Sequence, residues 1–382
     1  MLLVSRAWDR PSDDVELLHC FQVLDRPELP AWVLTVGANL EPGELEDLSV
    51  RLNEGSAGLV RLGDDLFGWR PEPQSLPEPW GARARLVTRR IGEGLLTTLD
   101  TACGLLGHPV RGFDYRVDTP VPAPVRFSEP SQATAWLRRH LPVSLATVRA
   151  GGRAGLRSLA TVLTARLWVC APTDVSRQWA VDLAEAGTQA AVDDRRPRDL
   201  AGLLRLSARW FAAAGDFPTA EAHGVREWVL WKELDDATGM IDTLWRRAHV
   251  YRAAGRGNRE LDCYQRLLSL YRQSDDRFGL AHTQVARGVA LAGVGRARDA
   301  AEQLREAARA VGELDSPGAA SPGELASVLE TLGRALWNLG VFGAARRQFS
   351  AALRQLVDVD EQAAQRIRVL LAHPEGHSLP GR

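Results

Sequence analysis

Residues 332–353 read LGRALWNLGVFGAARRQFSAAL and carry the clearest structural pattern in this chain. Apolar residues recur every three or four positions on both sides of Gly340, which is the spacing of amphipathic helices. A small residue, Gly333, precedes the turn glycine, while Ala345 and the aromatic ring of Phe349 follow it. The stretch therefore predicts two antiparallel helices joined at Gly340.

The same register recurs three more times earlier in the chain. Its turn glycines lie at positions 215, 255, 295 and 340, so the spacings are 40, 40 and 45 residues. The five extra residues coincide with SPGAASPG at 316–323, which is typical of a loop. The small and apolar positions of the earlier copies are Ala208, Phe211, Phe217 and Ala220; Ala248, Tyr251 and Tyr264; and Gly288, Leu291, Ala300 and Leu304. Four copies of one register predict stacked helical hairpins, with small residues where the helices approach and aromatic rings in the seam.

This register resembles the tetratricopeptide repeat (TPR), whose usual period is about 34 residues. The longer period here implies longer helices or longer loops between them. The resemblance implies a TPR-like α-solenoid over residues 131–370. Within it, residues 131–192 supply one or two degenerate hairpins, with Trp136, Trp168 and Trp179 as packing residues.

The remaining segments divide the chain further. Residues 1–70 contain two helical patterns followed by a hairpin pattern at 59–69, which predicts a small winged-helix-like α+β module. Residues 71–130 are predicted to be Pro-rich linkers flanking a helix, and residues 371–382 a flexible tail, because Pro374 and Gly376 interrupt any helix there. The expected fold class is mainly α, a TPR-like solenoid with this small N-terminal module.

The order of segments also resembles the C-terminal portion of actinobacterial STAND-type regulators, including those fused to antibiotic-regulatory domains. The stretches that carry the resemblance are Asp47 to Leu52 continuing to Leu59, Ala84 to Ile91 continuing to Ala102, and Ala135-Trp136-Leu137 with Leu145 and Val148. In that family a winged-helix module, a helical linker and TPRs follow a P-loop ATPase. The ATPase is missing here, so ATP-driven switching is not carried over.

Composition excludes several classes of protein. Lys232 is the only lysine, and no glycine-rich stretch precedes it, so a P-loop is excluded. The net charge of −1 predicts no general attraction to nucleic acid or anionic lipid. Four scattered cysteines fit a reducing cytoplasm, and the lack of a long apolar run predicts no membrane span. We therefore expect a cytoplasmic protein that does not interact with membranes.

Candidate catalytic residues are few. His19 and Cys20 form either an activated thiol or a buried pair, and their apolar helical surroundings favour the buried pair. Acidic pairs such as Asp235-Asp236 lie where helix capping explains them. None of the eight histidines falls in a metal or triad pattern, and His373 and His377 lie in the expected tail. The sequence thus predicts a protein that is not an enzyme and has no metal or cofactor.

The predicted solenoid offers a groove as a binding site. The resemblance places the concave face on the first helix of each hairpin. Its inward positions are Arg205 and Arg209 in the first repeat, Asp242, Trp245, His249 and Arg252 in the second, His282, Val285 and Val289 in the third, and Glu330, Arg334 and Trp337 in the fourth. Guanidinium groups pair with carboxylates and indole rings provide large apolar contacts, so we expect a protein or peptide partner with acidic and apolar residues. For Trp245 and Trp337 the sequence leaves groove and core positions open.

Three functions are compatible with this pattern. The first is a non-catalytic protein- or peptide-binding scaffold with a regulatory role. The second is an accessory subunit of a peptide natural-product enzyme, binding a precursor peptide or the enzyme. The third is a DNA-binding regulator, for which only the helix with Arg83, Arg85, Arg89 and Arg90 offers a basic face. Residues 1–65 carry five arginines against thirteen acidic residues, a net charge of −8, which disfavours DNA contact by the module.

Overall fold

We analysed a computed structural model that describes residues 13–41, 43–54, 59–63, 65–69, 81–108, 110, 112–117, 125–314, 321–357, 359–375 and 377–380. Residues 71–79 and 120–124 of the predicted Pro-rich linkers, and most of the loop predicted at 316–323, lie outside these residues. The chain divides into two compact units, Met1–Leu230 and Trp231–Arg382.

The described residues form sixteen helices and three strands. The first unit contains α1 (Asp13–Leu24), β1 (Glu28–Pro30), α2 (Ala31–Gly37), α3 (Glu44–Glu54), β2 (Leu59–Gly63), β3 (Leu66–Trp69), α4 (Ala82–Leu105), α5 (Pro130–Arg153), α6 (Arg157–Cys170), α7 (Arg177–Asp193), α8 (Pro197–Ala213) and most of α9 (Phe217–Glu233). The second contains α10 (Ala237–Ala253), α11 (Gly257–Gln273), α12 (Arg277–Gly293), α13 (Ala297–Gly312), α14 (Pro322–Asn338), α15 (Phe342–Leu356) and α16 (Glu361–Ala372). The prediction of a mainly helical chain built of TPR-like hairpins is confirmed.

The repeat has a regular length at the level of single helices. From α7 to α13 each helix begins 20 residues after the previous one, which gives the 40-residue hairpin period. The turn between helices holds one residue with a left-handed backbone. This residue is glycine in the predicted turns, with φ of 81° at Gly215 and 68° at Gly255. In the alternate turns it is arginine or aspartate, with φ of 55° at Arg195, 51° at Asp235 and 53° at Asp275. Glycine adopts this conformation without the steric cost that a side chain brings.

Small residues allow close helix packing at the predicted positions. A Cβ atom at Gly288 would lie 2.6 Å from the Leu304 side chain, and one at Gly333 would lie 2.5 Å from the Phe349 ring. The seam aromatics Phe211, Tyr251, Tyr264 and Phe349 are all buried, as predicted. Because the interior is close-packed, these positions leave little room for larger side chains.

Helix starts are capped by acidic and hydroxyl side chains. Asp236 accepts a hydrogen bond from the Gly239 amide at 2.9 Å, and Asp276 accepts one from Gly279 at 2.8 Å. Ser321 and Glu324 form a reciprocal capping box at the start of α14. The capping role predicted for the pair Asp235-Asp236 is therefore confirmed, because Asp236 provides the cap and Asp235 the left-handed turn.

The N-terminal part of the first unit contains a small antiparallel sheet. Its strand order is β1-β3-β2, and β2 and β3 form the predicted hairpin, with Leu59 opposite Trp69. The two predicted helices correspond to α1 and α3, whereas the short elements β1 and α2 between them were not predicted.

The predicted linker helix is a central element of the first unit. α4 packs against α1, α2, α5 and α6, and its residues Val87, Ile91, Leu95 and Leu99 are fully buried. Further along the unit, Trp168 and Trp179 are buried with their ring centroids 6.4 Å apart, as the packing prediction requires.

Candidate functional site

The face of α10 that the repeat register assigns to the groove carries a partly exposed aromatic cluster. Asp242, His249 and Arg252 are exposed on this face, and Trp245 is half-buried between them. The spacings of three and four residues place these side chains on one side of the helix. The face is therefore open to a partner along about three helical turns.

Neighbouring helices hold Trp245 in place. Its indole Nε1 donates a hydrogen bond to the hydroxyl of Tyr271 on α11 at 3.0 Å. Its ring stacks on His282 of α12, with centroids 4.6 Å apart and planes at 26°. The ring of Tyr264 meets it edge-on at 5.5 Å, and His249 lies 6.4 Å away on the outer side. Trp245 is thus fixed by ring contacts while part of its surface stays accessible.

The two imidazoles beside Trp245 are shifted toward the neutral form. Partial loss of solvent around its ring lowers the pKa of His249, and the positive charge of Arg252 lowers it further. Burial also lowers the pKa of His282, with a further contribution from His249. At neutral pH both rings are therefore uncharged, so each presents one donor and one acceptor nitrogen.

Arg252 has a structural partner as well as an exposed surface. Its guanidinium donates to the Glu260 carboxylate at 2.7 Å and to the Tyr264 hydroxyl at 2.8 Å. The Glu260 side chain is 5% exposed, whereas 45% of the Arg252 side chain is accessible. Arg252 therefore neutralises a buried carboxylate, and its outer edge forms the end of the α10 face.

Together these residues form the α10–α12 cluster, which we define as Trp245, His249, Arg252, Tyr264, Tyr271 and His282. The sequence register located the members on α10 and α12 and missed the two tyrosines of α11. Tyr264 was assigned to the seam only, and Tyr271 gave no signal because it lies outside the repeat pattern. The third-repeat positions differ from one another, since Val285 is buried and Val289 half-buried.

The residues of the fourth repeat have a different environment. Trp337 is only 3% exposed and packs against Phe342 and Phe349, with ring centroids 4.9 and 6.4 Å away. Arg334 pairs with Glu330 at 2.8 Å. Of the two positions that the sequence left open between groove and core, Trp337 is buried, whereas Trp245 keeps an accessible surface.

The segment after α16 accounts for part of this burial. Trp337 Nε1 donates to the carbonyl of His377 at 2.9 Å, and Arg334 donates to the carbonyl of Pro380 at 2.8 Å. This segment was predicted to be a flexible tail. The structure instead holds its described residues against α14 and α15, because side chains of those helices bond its backbone.

The first-repeat residues Arg205 and Arg209 lie on α8, in the first unit. Arg205 is half-buried and Arg209 is exposed. Nearby, a cavity of about 180 Å³ opens beside Phe211 and His223. The buried Ser207 hydroxyl lies 2.7 Å from Nδ1 of His223, a pair that the sequence analysis did not identify. The same hydroxyl donates a hydrogen bond to the Leu204 carbonyl at 3.0 Å, so Ser207 is bonded within its own helix.

All four cysteines are buried. Burial, together with the Glu16 charge, raises the pKa of Cys20 far above its usual range. Of the two alternatives for His19 and Cys20, the structure shows a buried pair. The hydrogen bond with Cys103 and burial raise the pKa of Cys170. Buried thiols of raised pKa are poor nucleophiles.

Among the described residues, no group of three His, Cys, Asp or Glu side chains is arranged to hold a metal ion. Within the same residues, no helix combines the length and apolar character needed to cross a bilayer.

Some arginines of the predicted basic face of α4 are bound to other residues of this chain. Arg90 forms an ion pair with Glu16 at 2.8 Å and also donates to the Gly37 carbonyl at 3.4 Å. Arg83 and Arg85 are exposed. The arginines therefore do not act together as one free surface.

No protein-family model and no curated protein matches the chain in sequence. The solved structures that match this chain include two proteins of low sequence identity. BtubC (BKLC) from P. vanneervenii is 18% identical, with 65% of this chain and 96% of that chain covered and a TM-score of 0.41. A Signal Transduction ATPase with Numerous Domains (STAND) protein with a tetratricopeptide repeat sensor, from Pyrococcus horikoshii, is 9% identical. The match covers 94% of this chain and 59% of that chain, with a TM-score of 0.40.

Proposed function

We propose that this chain is a non-catalytic scaffold that binds a protein or peptide along the inward faces of its TPR-like hairpins. The observation that carries the proposal is the α10–α12 cluster, in which a half-buried indole lies between exposed polar groups on one helix face. Aromatic rings fixed by their neighbours lose little conformational freedom on binding, which favours them as contact residues.

The chemistry of this face indicates the class of partner. Trp245 and His282 offer a flat apolar surface, Arg252 offers a guanidinium edge, and Asp242 adds one negative charge. An extended segment with an apolar residue beside an acidic one matches this order of groups. The regulatory role implied by the resemblance to STAND-type regulators is part of the proposal.

We also propose that the elements α1 to β3 are a winged-helix-like module that docks a protein instead of reading DNA. The order helix, strand, two helices and hairpin, with the third strand in the middle of the sheet, supports the first part. The net charge of −8 over residues 1–65 and the ion pair of Arg90 with Glu16 support the second.

The test compares partner capture by wild-type protein and two double variants. The groove variant Asp242→Ala/His249→Ala removes exposed side chains of α10 and leaves the contacts of Trp245 with Tyr271 and His282 in place. The control Asp262→Ala/Arg266→Ala makes a similar change on exposed positions of α11. Tagged proteins are used to capture partners from host lysate, and each captured protein is then purified and its affinity measured.

We expect a partner that binds wild type and control equally and the groove variant about tenfold more weakly, the effect of one contact residue of medium strength. A partner that binds all three proteins with one affinity would exclude the α10 face. Salt-sensitive binding of DNA in place of a protein would overturn the proposal in favour of the regulator that reads DNA.

A further inference from the structure

The 373–380 segment, described except for residue 376, is held by side-chain donors of two neighbouring helices. Besides the bonds from Trp337 and Arg334, Arg346 of α15 donates to the carbonyls of Leu371 at 2.5 Å and His373 at 3.0 Å. The acceptors are all backbone oxygens. Donors of this kind bind a peptide chain whatever its side chains are.

Two side chains of the segment add specific contacts. Glu375 pairs with Arg346 at 3.2 Å, and Leu379 packs against the apolar core formed by α12 to α16. A hydrogen bond of 2.9 Å between Nε2 of His373 and the carbonyl of Ser378 folds the segment back on itself. The segment thus contains an acidic residue and an apolar residue, the two residue types that we propose for a partner peptide.

The segment also covers groove positions. Arg334 and Trp337 occupy in α14 the repeat positions that His249 and Arg252 occupy in α10. The latter pair is exposed, whereas Trp337 is 3% exposed and only 18% of the Arg334 side chain is accessible. The same face is therefore open on α10 and covered on α14.

We infer that the 373–380 segment is an intramolecular ligand of the groove, which occupies its fourth repeat and competes with a partner peptide for it. This inference rests on the proposed peptide-binding function. A segment attached to its own site acts at an effective concentration of about millimolar, so a free peptide of equal affinity displaces it poorly. A partner that also contacts the open α10 face gains the additional affinity needed for displacement.

The inference is tested with full-length variants that free the segment and leave the groove unchanged. The release variant is Glu375→Ala/Leu379→Ser, which removes the ion pair with Arg346 and the apolar anchor. The matched control is Glu361→Ala/Val369→Ser, which changes an exposed carboxylate and an exposed valine of α16. The indole N–H spectrum of 15N-tryptophan-labelled protein reports the Trp337 bond, and Trp337→Phe assigns its signal.

We expect the Trp337 signal to move in the release variant and to stay in place in the control. A fluorescent synthetic peptide of residues 371–380 should bind the release variant at least about tenfold more tightly than wild type and return the signal toward its original position. Adding Trp337→Phe to the release variant should weaken that binding.

Two results would overturn the inference. One is an unmoved Trp337 signal in the release variant; the other is equal or no binding of the synthetic peptide by wild type and release variant. This experiment uses Trp337 and the chain's own segment, whereas the test of the proposed function uses Asp242, His249 and an external partner. Failure of either is therefore distinguishable from failure of the other.

Discussion

The packing at Gly333 gives a prediction whose magnitude follows from the structure. In Gly333→Ala the new Cβ atom would lie 2.5, 2.7 and 3.1 Å from three atoms of the Phe349 ring. The ring cannot withdraw into solvent because Phe349 is 0% exposed and belongs to the apolar core of the second unit. The helices α14 and α15 must therefore separate or the ring must leave its preferred rotamer.

Two opposing effects determine how Gly333→Ala changes the free energy of unfolding. Overpacking of a core costs about 1–3 kcal/mol, whereas replacing glycine by alanine inside a helix contributes about 0.5–1 kcal/mol of stability. The balance is a loss of about 1 kcal/mol in the free energy of unfolding. With Phe349→Leu in the background, the clash disappears and the same change should become stabilising by about 0.5 kcal/mol.

The assay is urea unfolding followed by circular dichroism, with Gly343→Ala as the control. Gly343 lies in α15 of the same hairpin, and a Cβ atom there meets nothing within 4 Å. We expect Gly343→Ala to leave the unfolding midpoint unchanged or slightly higher, and Gly333→Ala to lower it. The account of the small repeat position is refuted if Gly333→Ala is as stable as wild type, or if Phe349→Leu does not alter its effect.

Three further predictions concern turns, ion pairs and pH. Gly255→Val should lower the free energy of unfolding by about 1–2 kcal/mol, because φ is 68° at this position. Gly255→Asn should lower it less, since a short polar side chain tolerates the conformation that Asp235 and Asp275 adopt. Thermal unfolding measures both variants, and equal losses would contradict this explanation. Arg252→Ala should lower the free energy of unfolding because the buried Glu260 carboxylate loses its charged partner. The expected loss lies toward the low end of about 1–3 kcal/mol, since Arg252 is partly exposed to solvent. In urea unfolding, adding Glu260→Gln should recover part of this loss, and no recovery would contradict the stabilising role of the pair. Burial, with a contribution from Arg226, lowers the pKa of His223 in the folded protein from 6.5 to about 4. The unfolded chain therefore binds a proton at this histidine more readily than the folded chain, so stability falls as pH drops from about 6.5 to about 4. The loss between pH 7 and pH 4.5 should be about 2–3 kcal/mol larger in wild type than in His223→Gln, and parallel pH profiles would rule out this histidine.

Local signals in the sequence determine much of this fold. The turn glycines and small positions recur at a fixed spacing, so the hairpins of α8 to α15 could be predicted from residues such as Gly255 and Gly333. The left-handed residues of the alternate turns, Arg195, Asp235 and Asp275, could not be predicted in this way, because residues other than glycine are uncommon in that conformation. Only the regular 20-residue helix spacing reveals that Asp235 and Asp275 have the same role as the glycines.

The candidate site was predictable only where it follows the repeat register. Trp245, His249 and Arg252 share one face because of helical spacing alone. Their partners Tyr271 and Glu260 come from the next helix, and the side-chain contacts of Trp245 depend on how α10, α11 and α12 pack. Such contacts have no periodic signature.

The 373–380 segment shows why a local prediction differed from the structure. Pro374 correctly predicts that α16 ends just before it, at Ala372. A non-helical chain is nevertheless ordered when distant donors bond its carbonyls. Arg346, Trp337 and Arg334 lie 27, 40 and 46 residues away in sequence from the carbonyls that they bond. Only the folded arrangement of α14 and α15 brings these donors together.

The most direct test of the account is photocrosslinking from the exposed face of α10. A photoreactive benzoyl-phenylalanine replaces His249 in one full-length protein and the exposed Arg266 of α11 in another. The account predicts that the partner captured by wild type attaches covalently at position 249 and not at 266, through a stretch of the partner that holds acidic and apolar residues. Attachment at 266 alone, or equally at both positions, would contradict it.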